Sequence, residues 1–150
     1  MVKIMIDILI MMIAFAGMEA VAWSTHKFIM HGFLWKLHSD HHKKESPGFF
    51  ERNDLFFLVF ALPGFTALLA GVVRHLHILL AAGAGITLYG LTYFLIHDIF
   101  IHQRFNLFKN SNNRYLKAIR RAHKMHHKHL DKEDGECFGM LWVPLKYFRT

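Results

Sequence analysis

Residues Leu55–Ile96 read LFFLVFALPGFTALLAGVVRHLHILLAAGAGITLYGLTYFLI, two apolar runs joined only by Arg74, His75, Leu76 and His77. Neither run, Leu55–Val73 or Ile78–Ile96, carries a charge. Each is close to the ~20 residues, roughly 30 Å of helix, that the hydrocarbon core of a bilayer requires. So short a link makes the two an antiparallel helical hairpin. Pro63-Gly64 is expected to kink the first helix without ending it, since neighbouring helices satisfy the freed backbone groups. A third apolar run, Ile4–Trp23, is broken by Asp7 and Glu19. It follows Lys3 and lacks a small-residue cleavage site, so it reads as a retained membrane anchor and not as a secretory signal.

The expected fold is therefore all-α: a multi-pass integral membrane protein of one domain, 1–150, with about three transmembrane helices near 4–23, 55–73 and 78–96. Segments 24–54 and 97–150 then lie on one side of the membrane. They hold 16 of the 18 Lys and Arg, only Lys3 and Arg74 falling elsewhere. By the positive-inside rule that side is cytoplasmic, and an odd number of spans puts the N-terminus outside. Within these segments Asn112–Lys128 places Tyr115, Leu116, Ile119, Ala122 and Met125 at helical spacing among basic residues, which predicts an amphipathic helix. Ser46-Pro47-Gly48 reads as a turn. The stretch Cys137–Phe148 is apolar but short and interrupted by Pro144, so it is expected to cap a site or lie at the interface. Cys137 is the one cysteine, which excludes an intramolecular disulfide and any cysteine-based zinc or iron–sulfur site. It reads as a small apolar residue.

The chain has 13 histidines and a formal charge of +7, and ten of those histidines form two copies of one pattern. The first is His26-x4-His31 followed by His38-x2-His41-His42. The second is His97-x4-His102 followed by His123-x2-His126-His127. On a helix, residues three and four apart lie within roughly 60° of each other, so each H-x-x-H-H can converge on one point. Spacing five gives roughly 140° on a regular α-helix. His26 with His31, and His97 with His102, therefore require either that the helix unwinds or that the two residues serve different sides of a two-metal cluster. Ten imidazoles crowded together would repel when protonated and waste polar capacity when neutral, which points to metal. They exceed the three or four ligands one zinc takes, so two metals are the natural reading. Imidazole suits iron, zinc and copper alike, and ligand type does not choose among them. His75 and His77, in the opposite loop, read as surface residues, and His129 points away.

The runs His26-Lys27-Phe28-Ile29-Met30-His31-Gly32, Gly48-Phe49-Phe50-Glu51-Arg52-Asn53-Asp54, His97-Asp98-Ile99-Phe100-Ile101-His102-Gln103-Arg104 and Ala122-His123-Lys124-Met125-His126-His127 together resemble the bacterial β-carotene hydroxylases of the fatty acid hydroxylase and sterol desaturase superfamily. The likeness runs from about Glu19 to Pro144. It implies a non-haem centre of two iron ions held by the ten motif histidines, dioxygen as oxidant, and electrons from a ferredoxin-type donor. The implied reaction is hydroxylation at carbon 3 of a β-ionone ring, taking β-carotene through cryptoxanthin to zeaxanthin. The stretch after Pro144 is short and the N-terminal extension of plant members has no counterpart, but neither difference touches a candidate ligand.

Among other residues, Glu19 lies inside an apolar span, where a carboxylate is expensive and functional by default. It is expected either to accept an imidazole N–H or to pair, protonated, with another helix. Asp40 and Asp98 are further candidate acceptors, with solvated surface carboxylates as the alternative. Phe49, Phe50 and Trp142 could line a carotenoid channel or belong to an interfacial aromatic belt. The basic cluster Arg120, Arg121, Lys124 and Lys128 suits anionic lipid better than nucleic acid. Competing functions are a fatty acid or sterol hydroxylase, a desaturase or a carotenoid ketolase of the same superfamily. A non-enzymatic membrane metal-binding or transport protein is the alternative of another class. The absence of ionisable groups from the second and third spans argues against transport.

Overall fold

A computed structural model of the chain describes residues 1–43, 48–131 and 133–149. The turn expected at Ser46-Pro47-Gly48 lies largely outside them. Every regular element among the described residues is helical. Three helical stretches, Val2–Phe33, Arg52–Val73 and His77–Ile101, are each long and apolar enough to cross a membrane. The protein is thus an all-α membrane protein. The residues group into two units, one of 1–18 with 54–92 and the other of 19–53 with 93–150.

The first unit contains most of α1 (Val2–Ser24), α3 (Leu55–Val73) and most of α4 (His77–Phe94). Lipid is as apolar as leucine, so burying large side chains gains little here, and close backbone approach through small residues holds the helices together. Gly83 shows the point, since a Cβ there would sit 2.7 Å from the Leu68 amide nitrogen. On the same logic large side chains point outward: Leu62, Phe65, Leu69, Leu88 and Leu91 are all exposed. Pro63 lies inside α3, which continues through it. The hairpin turn has His75 in the left-handed region at φ 53°. The His77 side chain is 40% exposed, and its Nδ1 lies 2.5 Å from Asp7 Oδ1. The imidazole and the carboxylate thereby satisfy each other.

The second unit contains α2 (Trp35–His42), α5 (Arg114–His126) and two segments of π-helix, Thr25–Phe33 and Leu95–Ile101. The π segments follow directly after α1 and α4 in the chain, and the first is kinked at Gly32, whose φ of −106° and ψ of −124° are not helical. Asn113 caps α5, its side chain accepting from the Leu116 amide at 3.1 Å. The buried face of α5 is Ala118, Ile119, Ala122, His123 and His126, while Tyr115, grouped with the apolar face by spacing, is exposed. Its hydroxyl donates instead to the Leu141 carbonyl. Ala118 and Ala122 pack on Tyr147, with Met125, Cys137, Val143 and Phe148 around them, so Cys137 fills apolar space as expected. Arg121 donates to the Tyr147 carbonyl at 2.9 Å.

Replacing Gly83 by leucine drives side-chain atoms into the α3 backbone. We expect a loss of about 1–3 kcal/mol, typical of overpacking, read as a lower thermal midpoint in detergent. An unchanged midpoint would show that the helices do not pack through this glycine.

Candidate metal centre

A π-helix is held by i→i+5 hydrogen bonds, so residues five apart stack one turn above the other. Two such bonds are Leu34 N–H to the Ile29 carbonyl at 3.0 Å and His102 N–H to the His97 carbonyl at 2.9 Å. The wider winding resolves the H-x4-H spacing. His26 and His31 share a face, with ring centroids 5.1 Å apart, and His97 and His102 do likewise at 4.6 Å. Isolated π turns are uncommon and concentrate at functional sites, and this chain has one at each H-x4-H pair.

The ten motif histidines all come together in the second unit. Nine fall into two groups whose ligating nitrogens lie within 4.8 Å of one another, His26, His31, His38, His42 and His126 in one and His41, His97, His102 and His123 in the other. His127 adjoins the second group, with its Nε2 2.9 Å from that of His123, and its ring stacks on His42 at 4.4 Å. Neither H-x-x-H-H converges on a single point. In each, positions one and five share a group, His38 with His42 and His123 beside His127, while the fourth turns away. His41 and His126 therefore cross into the group founded by the other copy.

The hydrogen-bonding state of these rings follows from their partners. His26 Nδ1 lies 2.9 Å from the Phe138 carbonyl, His31 Nδ1 2.7 Å from that of Leu130, and His126 Nδ1 3.1 Å from that of Glu136. His38 Nδ1 lies 2.7 Å from Asn53 Oδ1. Oxygen acceptors require Nδ1 to carry the hydrogen, which leaves Nε2 of a neutral ring as a bare lone pair. Yet the Nε2 atoms of His26 and His38 are 3.0 Å apart, and those of His31 and His126 are 3.2 Å apart. Two lone pairs at that distance repel, and only a shared cation between them makes the arrangement favourable. In the second group, His41 gives its Nδ1 hydrogen to Glu51 at 3.0 Å, and its Nε2 is buried without a partner. His97 gives its Nδ1 hydrogen to Asp98 at 3.2 Å. Metal-binding histidines are ordinarily oriented in this way, by an acceptor on the far nitrogen. The residues thus fit a pair of metal ions.

Protonation does not offer a way out. Burial pushes His38 down to about 3, with neighbouring imidazoles adding to the effect, and His126 down to about 2 for the same reasons. His127 falls to about 4, again chiefly through burial. His41, His42, His102 and His123 move the same way, and all are neutral near neutral pH.

The other expected residues divide. Asp98 accepts from His97 and from Arg104, its Oδ1 lying 3.1 Å from Arg104 Nε. Asp40, expected beside an imidazole, instead accepts from the backbone and side chain of Arg52 at 2.6 and 3.3 Å, with its other oxygen buried and unpartnered. It pins the start of the Arg52–Asp54 turn, which carries Asn53. Glu19 accepts from the amides of Leu141 and Trp142, both at 2.8 Å, so it clamps the segment that presents the Phe138 carbonyl. Phe138 also closes over the first group, its ring 5.1–5.6 Å from those of His26, His31 and His126. The expectation that Cys137–Phe148 covers the site is met by this residue. Phe49, Phe50 and Trp142 are largely exposed, at 52%, 78% and 82%, and Trp142 borders a small pocket that His123 also lines. Glu51, Asn53 and Arg104 were missed as site residues. The signal available was charged and amide groups within the runs Phe49–Asp54 and His97–Arg104.

A long α-helical membrane protein with two groups of convergent histidines defines a class, and comparison with known proteins places the chain within it. The family model described as fatty acid hydroxylase matches residues 11–147, so the chain belongs to that family. It is 40% identical over 136 residues to a β-carotene hydroxylase of Pantoea ananas, covering 91% of this chain and 77% of that protein. A β-carotene hydroxylase of Pseudescherichia vulneris is 38% identical, covering 93% and 78%, and one of a Paracoccus strain is 33% identical, covering 93% and 86%. No solved structure matches.

The lowered histidine values set a pH dependence for the metal-free protein. Where the folded pKa lies below the unfolded one, the unfolded chain binds more protons, so stability falls as pH drops through the unfolded value of about 6.5. We expect the thermal midpoint of metal-free protein to fall between about pH 7 and pH 5, and added ferrous or cobaltous ion to raise it more at the higher pH. A midpoint indifferent to both pH and metal would mean the imidazoles do not form a closed, ion-binding cluster.

Proposed function

We propose that this chain is a β-carotene 3-hydroxylase, a membrane monooxygenase that places a hydroxyl group on the β-ionone ring. The observation that carries the reading is the convergence of fixed Nε2 lone pairs from both halves of the chain, joined to relatives named for this activity. His26, His31, His38, His42 and His126 would hold one iron ion, and His41, His97, His102 and His123 the other, with His127 beside the second. When bound, such a pair supplies the activation of dioxygen that breaking an unreactive ring C–H bond demands. The balance is one ring C–H, one dioxygen, two electrons and two protons giving one C–OH and one water. The electrons come from a ferredoxin-type donor.

The chain's own residues do the rest. Carbonyls, an amide oxygen and carboxylates on the far side of His26, His31, His38, His41, His97 and His126 hold these imidazoles in one tautomer and orientation. Phe138 excludes water from the first group. The substrate is a bilayer solute, and both π segments belong to helices apolar enough to cross the membrane, which suits delivery of the ring from lipid. We place the histidine groups on the cytoplasmic side, because segments 24–54 and 97–150 carry 16 of the 18 Lys and Arg. That basic charge suits an acidic electron donor.

The test is expression in cells that accumulate β-carotene, with pigment analysis and iron measured on purified protein. We expect cryptoxanthin and zeaxanthin, with two iron ions per chain. His38→Ala and His123→Ala should abolish the new pigments, and His75→Ala should leave them unchanged. Unchanged pigment with altered acyl lipids or sterols would move the substrate elsewhere in the superfamily. Full activity in both ligand variants would remove the shared cluster.

A further inference from the structure

The two histidine groups differ in what stands behind them. In the first group the four recorded Nδ1 acceptors are neutral: the carbonyls of Phe138, Leu130 and Glu136, and the Asn53 side-chain amide. In the second group the two recorded acceptors are carboxylates, Glu51 behind His41 and Asp98 behind His97. These carboxylates are tied into one unit by Arg104, whose Nη2 is 2.9 Å from Glu51 Oε2 and whose Nε is 3.1 Å from Asp98 Oδ1. Their side chains are mostly buried, at 19% and 15% exposed, and Arg104 is 13% exposed, so solvent screens them weakly.

A carboxylate accepting an imidazole N–H draws that hydrogen toward itself and makes the opposite nitrogen a stronger donor, and outer partners of this kind tune the metal. Glu51 and Asp98 also each bring a negatively charged oxygen against a ring of the second group, whereas the acceptors seen in the first group are uncharged. Both effects favour the more highly charged state of an ion held there.

Resting on the di-iron reading above, we propose that Glu51 and Asp98, bridged by Arg104, make the two metal positions electronically unequal. The ion held by His41, His97, His102 and His123 is the one that gives up an electron first. Starting from two ferrous ions, a one-electron oxidant such as ferricyanide takes one electron from that position, giving one ferric and one ferrous ion together with ferrocyanide. Glu51 and Asp98 are positioning residues here, acting through the imidazoles they hold. Arg104 keeps both carboxylates in place and limits the charge difference.

The experiment is a redox titration of purified protein loaded with iron-57 and poised with dithionite and ferricyanide, followed by Mössbauer spectroscopy. The wild-type protein should show two resolved one-electron steps and, at the midpoint, one ferric and one ferrous site in equal amounts. Glu51→Gln and Asp98→Asn should each raise the first step more than the second and alter mainly the signal of the site oxidised first. Asn53→Asp puts a carboxylate behind His38, and should lower the second step and narrow the gap. A single two-electron step in the wild-type protein, or equal shifts of both steps in the variants, would overturn the inequality while leaving the di-iron reading intact. Failure of the wild-type protein to take up two iron ions would overturn the di-iron reading and this inference with it.

Discussion

A neutral imidazole has one hydrogen to give and one lone pair to offer. Once Nδ1–H is committed to a fixed oxygen, the direction of the Nε2 lone pair is settled as firmly as the backbone that carries the acceptor. Much of the second unit exists to hold those acceptors still. The Phe138, Leu130 and Glu136 carbonyls come from the segment that follows α5. That segment is held by the Glu19 carboxylate on the Leu141 and Trp142 amides, by the packing of Ala118 and Ala122 on Tyr147, and by Arg121 on the Tyr147 carbonyl. Glu51 and Asn53 flank a turn that Asp40 ties down through Arg52. Contacts remote from the imidazoles therefore set where their lone pairs point.

Helix winding supplies the second half of the geometry. Five residues separate the members of each H-x4-H pair, and only a ladder of i→i+5 bonds puts such residues on one face. The α-helical H-x-x-H-H motifs act the other way, dividing their members between two directions. The exchange of His41 and His126 has a consequence for assembly. Neither copy of the pattern completes a group alone, so a cluster forms only when both halves of the chain have folded against each other. Ion binding then stabilises the folded arrangement as a whole, since the unfolded chain offers no such set of ligands.

The fold was largely legible because its signals are local. Uncharged runs of membrane length and a link too short for anything but a hairpin predict α3 and α4 within a residue or two. The repeated histidine spacing picked out the residues that converge. The missing part was direction. Spacing five was unreadable because the periodicity argument assumes 3.6 residues per turn, and nothing in Thr25–Phe33 or Leu95–Ile101 announces a wider winding. The acceptors were hidden for a different reason: a backbone carbonyl has no sequence signature, and Leu130, Glu136 and Phe138 contribute through their main chain. Glu19 stood out as a carboxylate in an apolar run, yet its partners lie more than a hundred residues away and the expectation of an imidazole had no way to include them.

Charge gives the arrangement its last constraint. A protein of formal charge +7 is a poor host for multivalent cations unless that charge is kept away from where they bind. Burial keeps His38, His41, His42, His102, His123 and His126 neutral, so these ligands add no positive charge of their own. Of the basic residues near the cluster, Arg104 spends its charge on Glu51 and Asp98, and Arg52 on Asp40. Arg120 and Arg121 point into backbone carbonyls at some distance from the rings. Glu51 and Asp98 accept from rings of the second group, whereas the Nδ1 acceptors seen in the first group are uncharged carbonyl and amide oxygens. A site built from ten identical side chains is made unequal by what those side chains touch on their far edge, and that edge is where the difference between two otherwise similar metal positions has to be sought.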